Sequence, residues 1–223
     1  MKGNNVWAII PAYNEAKRIS PVIKEAKKHV DCVLVVDDGS NDSTSAAAKK
    51  SGALVLKHLI NLGKGAALKT GCDYAIKNGA KILVTLDADA QHRAEDIPRF
   101  LEGMKDADIV FGCRSLNEEM PSVLRFGNWF ITKLTSFLYG VDIPDTQSGF
   151  RAFTADTYQK IRWRANDYSM ESEMITNVGR NRLRYKKINI ETLYPDRYKG
   201  TTVIDGAKIV VNLLRWKIMR NGW

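Results

Sequence analysis

The eleven residues ILVTLDADAQH, Ile82 to His92, decide how this chain is read. Ile82 to Leu86 is a run too short for a helix and without polar alternation, as a strand buried on both faces reads. It stops in Asp87, Ala88, Asp89, Ala90, Gln91 and His92, so acid gathers at its carboxyl end. Working outward, Val6 to Ile10, Val33 to Val36, Leu54 to Leu56 and Ile109 to Phe111 are similar brief runs bounded by Gly, Asn, Asp or Pro. Between them lie Pro21 to His29, Thr44 to Ser51, Lys64 to Lys77 and Ile97 to Met104, of helical length and composition, with Ser20 and Ser43 as expected N-caps. Strand alternating with helix predicts an α/β fold whose central sheet is mostly parallel and flanked by helices.

In such sheets ligands bind at the carboxyl ends of the strands. Here the first run exits into Pro11, Ala12, Tyr13, Asn14 and Glu15, and the second into Asp37, Asp38, Gly39 and Ser40. Three strand ends therefore converge carboxylates on one edge, and none of these segments contains Lys or Arg. Like charges so gathered call for a cation. Asp87, Asp89 and Gln91 alternate, offering the hard oxygen ligands that Mg²⁺ or Mn²⁺ prefers. Sixteen Asp residues in 223 supply about one Asp-x-Asp by chance, and a second copy, Asp106, Ala107, Asp108, is present. That copy precedes its strand, so it is expected at the opposite edge and without a site.

Length and composition fit one globular unit: 44% hydrophobic residues exclude wholesale disorder, and 223 residues exclude a disulfide-stapled miniprotein. Without a Pro/Gly/Ser linker, 1–223 reads as a single domain, with a ligand-binding half over 1–112, a second half over 113–200 and a basic amphipathic helix over 204–223. Cys32, Cys72 and Cys113 are odd in number and set among apolar residues, as reduced core thiols are. No signal peptide or 18-residue apolar stretch is present, so a cytoplasmic protein is expected. Of the net charge of +9, Arg180 to Trp223 carries +8, with 11 Lys and Arg against Glu191, Asp196 and Asp205. Such a tail attracts phosphates. Nucleic acid is not the expected partner, because zinc-finger, RNA-recognition and helix-turn-helix signatures are lacking, and Gly63, Lys64, Gly65 is neither a dinucleotide fingerprint nor a P-loop.

Taken in order, Pro11 to Glu15, Asp37 to Ser40 with Asp42, Ser43 and Thr44, and Asp87 to His92 resemble the donor half of glycosyltransferase family 2. Gly112 and Arg114, followed by Asp145, Thr146, Gln147, Ser148, Gly149, Phe150 and Arg151, resemble its dolichol-phosphate mannose or glucose synthase branch. The resemblance runs from about Val6 to Lys199 and implies a GT-A (Rossmann-like) fold. It implies that Pro11, Tyr13, Glu15 and Asp37 hold the base and ribose of a nucleotide sugar, and that Asp87, Ala88, Asp89 and Gln91 meet its diphosphate through Mg²⁺ or Mn²⁺. Asp38 is either a further ligand contact or a cap for its turn, and Lys64 either a diphosphate contact or an exposed loop lysine.

For the acceptor, the branch implies a polyprenyl or dolichyl phosphate. That group arrives ionised and needs cations more than a base. Arg114, Arg125, Arg151 and Arg197 lie in the segments concerned, and Asp89, Arg114 and Arg197 are expected to carry the catalytic step. One departure is that Gly200, Thr201, Thr202, Val203 stands where mannose-type synthases commonly carry Gly, x, Ser, Lys, so the mannose assignment does not follow. Transfer to a saccharide or lipid hydroxyl is the alternative, with Glu171 or Glu173 as base or as an acid that orients the acceptor; a helix-surface acid is the equal alternative for each. A non-catalytic nucleotide-sugar-binding module is the third reading. A lipid acceptor implies contact with the cytoplasmic face of a membrane. In Arg125 to Leu138, Phe126, Phe130, Leu134 and Phe137 fall on one helical face and Arg125, Asn128, Thr132, Thr135 and Ser136 on the other, with Trp129 and Lys133 suited to headgroups. Gly206 to Arg220 is basic and apolar together. Members of the branch that lack spanning helices dock this way, some with small membrane-anchoring subunits.

Overall fold

The apolar runs pair edge to edge because each has two faces to bury and no water to satisfy its backbone groups. The computed structural model describes residues 5–114, 122–167, 169–191 and 203–218, with backbone only at 122–126, 128, 203–205 and 207. Its elements in chain order are β1 (Val6–Ala12), α1 (Ile19–Ala26), β2 (Cys32–Asp37), α2 (Thr44–Lys50), β3 (Leu54–Lys57), α3 (Lys64–Lys77) and β4 (Ile82–Thr85). They continue with α4 (Ile97–Gly103), β5 (Ile109–Arg114), α5 (Ser122–Tyr139), β6 (Arg151–Thr154), α6 (Ala155–Ile161), α7 (Ser169–Arg180), β7 (Tyr185–Ile190) and α8 (Val203–Ile218).

Seven strands form one sheet in the order β3-β2-β1-β4-β6-β5-β7. Only β6 runs against its neighbours β4 and β5. Alternate residues of β1 feed two cores, Trp7 and Ile9 on one face, Ala8 and Ile10 on the other. Helix α3 lies close on the first face: a Cβ on Gly71 would come within 2.5 Å of Ile9 Cγ2. Ala12 is level with Asp37 across β1 and β2, and Leu86 N donates to Ile9 O at 3.1 Å, so the acidic ends of β1, β2 and β4 come out together.

Three expectations change. Ser20 lies inside α1, because Arg18 N and Ile19 N both donate to Glu15 O at 3.0 Å and begin the turn earlier. Ser43 precedes α2 without capping it; Asp42 accepts from Thr44 N at 2.9 Å instead. The third concerns the faces of α5. Thr132 and Thr135, expected on the polar side, are buried, while Phe130 and Phe137 of the apolar side are exposed, Phe137 by 87%, as an interfacial face is. A threonine hydroxyl is buried cheaply when a carbonyl accepts its proton, and Thr135 Oγ1 donates to Ile131 O at 2.7 Å. Ile131, Leu134 and Leu138 then pack against Ile209 and Leu213 of α8. Tyr139 Oη donates to Leu213 O at 2.8 Å across the same seam.

Candidate active site

The β2 end carries two buried carboxylates that face different tasks. Asp37 Oδ1 accepts from Ser40 N at 2.9 Å, and its other oxygen takes the Ser45 hydroxyl. Burial pushes Asp37 up, but these bonds and Lys57 outweigh it and leave the carboxyl below its ordinary range. Asp38 accepts from Leu62 N at 3.0 Å and Gly63 N at 2.8 Å and meets His58 Nδ1 at 2.7 Å. It therefore ties down the 58–63 loop and does not serve as a cap for its own turn. Tyr13, 44% exposed, stands at the mouth with Glu15, which pairs with Arg18 at 2.7 Å, while Pro11 is buried at the end of β1. Asn14 joins the two loops: its N–H donates to Ser40 Oγ at 2.9 Å and its Oδ1 accepts from Asn41 N at 3.0 Å.

At the β4 end, a lysine from outside the three acidic segments stands among the acids. Lys64 Nζ lies 2.8 Å from Asp87 Oδ1 and 2.9 Å from Glu171 Oε1. Burial alone would lower its pKa, but the two carboxylates hold it above the ordinary lysine value. Its placement comes from the glycines beside it: Gly65 N donates to Asn166 O at 2.8 Å, and a Cβ on Gly63 or Gly65 would collide with the 165–166 backbone. Lys64 is thus the first residue of α3, not an exposed loop residue. Asp87 is backed by Gly149, where a Cβ would come within 2.5 Å of Asp87 Oδ2. Burial pushes Asp87 up, but Lys64 outweighs it and keeps the carboxyl below its usual range.

Asp89 behaves oppositely. Burial first, then the charge of Asp87 beside it, push Asp89 up to about 6. Gln91 N donates to Asp89 Oδ1 at 3.0 Å, which bends the 87–91 segment back on itself, with Ala88 buried and Ala90 at φ 62°. His92 completes this wall: buried against Phe150, with Nε2 3.7 Å from Asp87 Oδ2, it is lowered to about 4 by burial and is neutral at pH 7.

Arg114 and Asp145 form a fork at 2.6 and 3.1 Å, and the same carboxylate accepts Gln147 N at 3.1 Å. Arg151, expected to meet an acceptor phosphate, lies beneath the site. Its guanidinium is fully buried, donates to Ser148 O, Thr146 O and Glu171 O at 3.1 to 3.3 Å, and holds the loop that carries Gly149. Glu171 and Glu173 are both buried and so are not helix-surface acids. Glu173 Oε2 accepts from Arg164 N at 3.0 Å and Ala165 N at 2.9 Å. The Arg125 side chain, Arg197, Lys199 and Gly200 lie outside the described residues.

The donor set suits a divalent cation that takes few protein ligands and completes its shell with phosphates. Asp87 and Asp89 supply two crowded carboxylates whose repulsion a cation would relieve. Among the described residues no group of three His, Cys, Asp or Glu side chains is arranged to hold a metal without such help. Sequence reasoning missed the Lys64–Glu171 pair and the wall of His92 and Gly149. A lysine between two glycines at the start of a helix was the available signal.

A groove of about 410 Å³ lined by Asn61, Leu62, Gly63, Ala165, Asn166, Asp167 and Asn212 runs from α8 to the residue preceding Lys64. Beyond it, α5 and α8 expose Trp129, Phe130, Phe137, Val211, Leu214 and Ile218 together with Lys133, Lys208 and Arg215. Among the described residues no helix is long and apolar enough to cross a membrane.

Four similarities fit this geometry. Residues 7–162 match the model of the family described as glycosyl transferase family 2. The UDP-N-acetylglucosamine–dolichyl-phosphate N-acetylglucosaminyltransferase of Methanococcus voltae is 32% identical, over 96% of this chain and 96% of its own. The undecaprenyl-phosphate mannosyltransferase of Micrococcus luteus is 29% identical, over 95% of this chain and 93% of its own. In fold, the chain is similar to glucosyl-3-phosphoglycerate synthase of Mycobacterium tuberculosis, solved with Mn²⁺, uridine diphosphate and phosphoglyceric acid. The TM-score is 0.77 at 21% identity, over 96% of this chain and 79% of that one.

Proposed function

The chain belongs to glycosyltransferase family 2, and from that premise we propose that it moves a hexose from a UDP- or GDP-linked nucleotide sugar to a polyprenyl or dolichyl-type phosphate. An acceptor phosphate oxygen attacks the anomeric carbon, and the bond to the diphosphate breaks with its electron pair leaving on the nucleotide. Asp87 and Asp89, with Gln91, would hold Mg²⁺ or Mn²⁺, which offsets charge on the departing diphosphate. Pro11, Tyr13, Glu15 and the Asp37 turn frame the base and ribose, and Lys64 and Arg114 flank the phosphates. Arg125 and Arg197 complete the acceptor side.

The observation that carries the choice of acceptor is the engagement of both acids that would serve a hydroxyl. Glu173 caps two backbone N–H groups and Glu171 holds Lys64. A hydroxyl needs a free base, whereas an ionised phosphate monoester needs only positioning. The names of the two relatives above support the same acceptor class while differing in sugar. The apolar and basic surface of α5 and α8 suits an anionic bilayer surface, with aromatic rings at headgroup depth and Lys133, Lys208 and Arg215 toward phosphates. In this reading the enzyme works peripherally on the cytoplasmic face, and the Asn61–Asn212 groove admits the acceptor headgroup.

The test is mass spectrometry of lipids after incubating the protein with polyprenyl phosphate, Mn²⁺ and either UDP-glucose, UDP-N-acetylglucosamine or GDP-mannose. A lipid-phosphate hexose from one donor is the expected product. Donor hydrolysis, or transfer to a saccharide, without any lipid product would overturn the phosphate-acceptor reading.

A further inference from the structure

Three carboxylates and one lysine meet at the ends of β4, α3 and α7. Lys64 is paired with both Asp87 and Glu171, whereas Asp89 has no ion pair among the described residues. Arg114 is matched by Asp145 at 2.6 Å, so it does not change the local balance. The cluster therefore holds two negative charges in excess, the charge of one divalent cation. Glu171 is only 2% exposed, and its Oε2 has no hydrogen-bond partner. Its Oε1 is within ion-pair distance of Lys64 but without directed hydrogen-bond geometry. A buried carboxylate in this condition is costly unless some state of the protein satisfies it.

We propose that Lys64 is an internal counter-ion for the metal site: it neutralises Asp87 until a divalent cation takes that carboxylate, and Glu171 then retains the lysine. This rests on the reading of Asp87 and Asp89 as metal ligands. A cation arriving at Asp87 repels the ammonium 2.8 Å away and needs the same oxygen. Glu171, whose Oε1 lies 2.9 Å from the ammonium, offers it a carboxylate other than Asp87, so the lysine keeps a partner and stays beside the incoming phosphates. The consequence is competition: the bare metal binds weakly, and the donor's phosphates, by drawing Lys64 toward them, help it bind. Glu171 is thus a positioning residue that acts through Lys64.

The experiment measures Mn²⁺ affinity without nucleotide, from the electron paramagnetic resonance signal of free Mn²⁺. The proteins are the wild type, Glu171→Gln, and the double variant Glu171→Gln with Lys64→Met, which removes both charges together and leaves neither partner buried alone. Glu171→Gln, which confines Lys64 to Asp87, is expected to weaken Mn²⁺ binding about tenfold, and adding Lys64→Met to restore it at least to the wild-type level. Equal affinity of Glu171→Gln and wild type would overturn the role of Glu171. A double variant binding as weakly as Glu171→Gln would overturn competition by Lys64. Asp89→Asn is the control on the site itself: Mn²⁺ binding unchanged in that variant would remove the metal-site reading and the proposal with it.

Discussion

Asp-Ala-Asp occurs twice, and the two copies differ in everything but their letters. Asp87 and Asp89 follow β4 at the edge where β1 and β2 also end; Asp106 and Asp108 precede β5 at the opposite edge. In the first copy, burial and mutual repulsion push Asp89 up to about 6. In the second, Asp106 pairs with Lys186 at 2.7 Å and Asp108 with Arg184 at 3.0 Å, and both are held below the usual carboxylate range by those partners. The second copy is a pair of exposed ties to the start of β7, complete in itself. The first leaves acid crowded, with Asp87 paired to Lys64 and Asp89 without an ion pair among the described residues, and crowded acid is what a divalent cation relieves. Strand direction, not the triplet, decides which copy stands beside the ends of β1 and β2.

The largest expected difference between them is in turnover. Asp89→Asn should lower product formation by about 100-fold or more, the scale of losing a principal electrostatic contact to the leaving group, whereas Asp108→Asn should stay within about twofold. A comparable loss in Asp108→Asn would break the comparison. The acceptor side gives a smaller effect: Phe130→Ser with Phe137→Ser should weaken binding to anionic vesicles about tenfold, through lost apolar burial, and leave nucleotide binding unchanged. Unaltered vesicle binding would confine the functional surface to the strand ends.

Stability should move the other way from activity. Asp89 keeps its proton in the folded state between its ordinary value of 3.8 and about 6, where the unfolded chain has released it. Its contribution to stability therefore falls as pH rises through that window. At pH 7 without metal, Asp89→Asn should be about 1 kcal/mol more stable than wild type in thermal unfolding, less than the full shift implies because the group is partly solvated. Asp108→Asn should cost about 0.5 kcal/mol or less, as exposed pairs do. Added Mn²⁺ should raise the melting temperature of wild type and Asp108→Asn only. An Asp89→Asn variant less stable than wild type would contradict the crowding.

The donor half was legible because its strands are buried on both faces and stop at acid: the run Ile82 to Leu86 and its following residues needed no tertiary knowledge. The boundaries of α3 were legible for a related reason, glycine before it and Asn78 after it. The second half resisted reading. Strand β6 is four residues long and begins with Arg151, a charge that is buried only because loop carbonyls surround it. Strand β7 is an edge strand with Lys186 and Lys187 in its middle. Lys64 and Glu171 are far apart in sequence, so their meeting at Asp87 belongs to the packing of α3 and α7 on the sheet. The threonine side of α5 is buried because a threonine hydroxyl can be satisfied by its own helix, which a hydropathy pattern does not register.

In the proposed reading the β1, β2 and β4 ends form a metal-assisted nucleotide site and the β5 entry does not. Calorimetric titration of the nucleoside diphosphate, with and without Mn²⁺, into wild type, Asp89→Asn and Asp108→Asn tests it directly. Mn²⁺ should tighten binding about tenfold or more in wild type and Asp108→Asn and have no effect in Asp89→Asn. Tightening that persists in Asp89→Asn, or is lost in Asp108→Asn, would contradict the account.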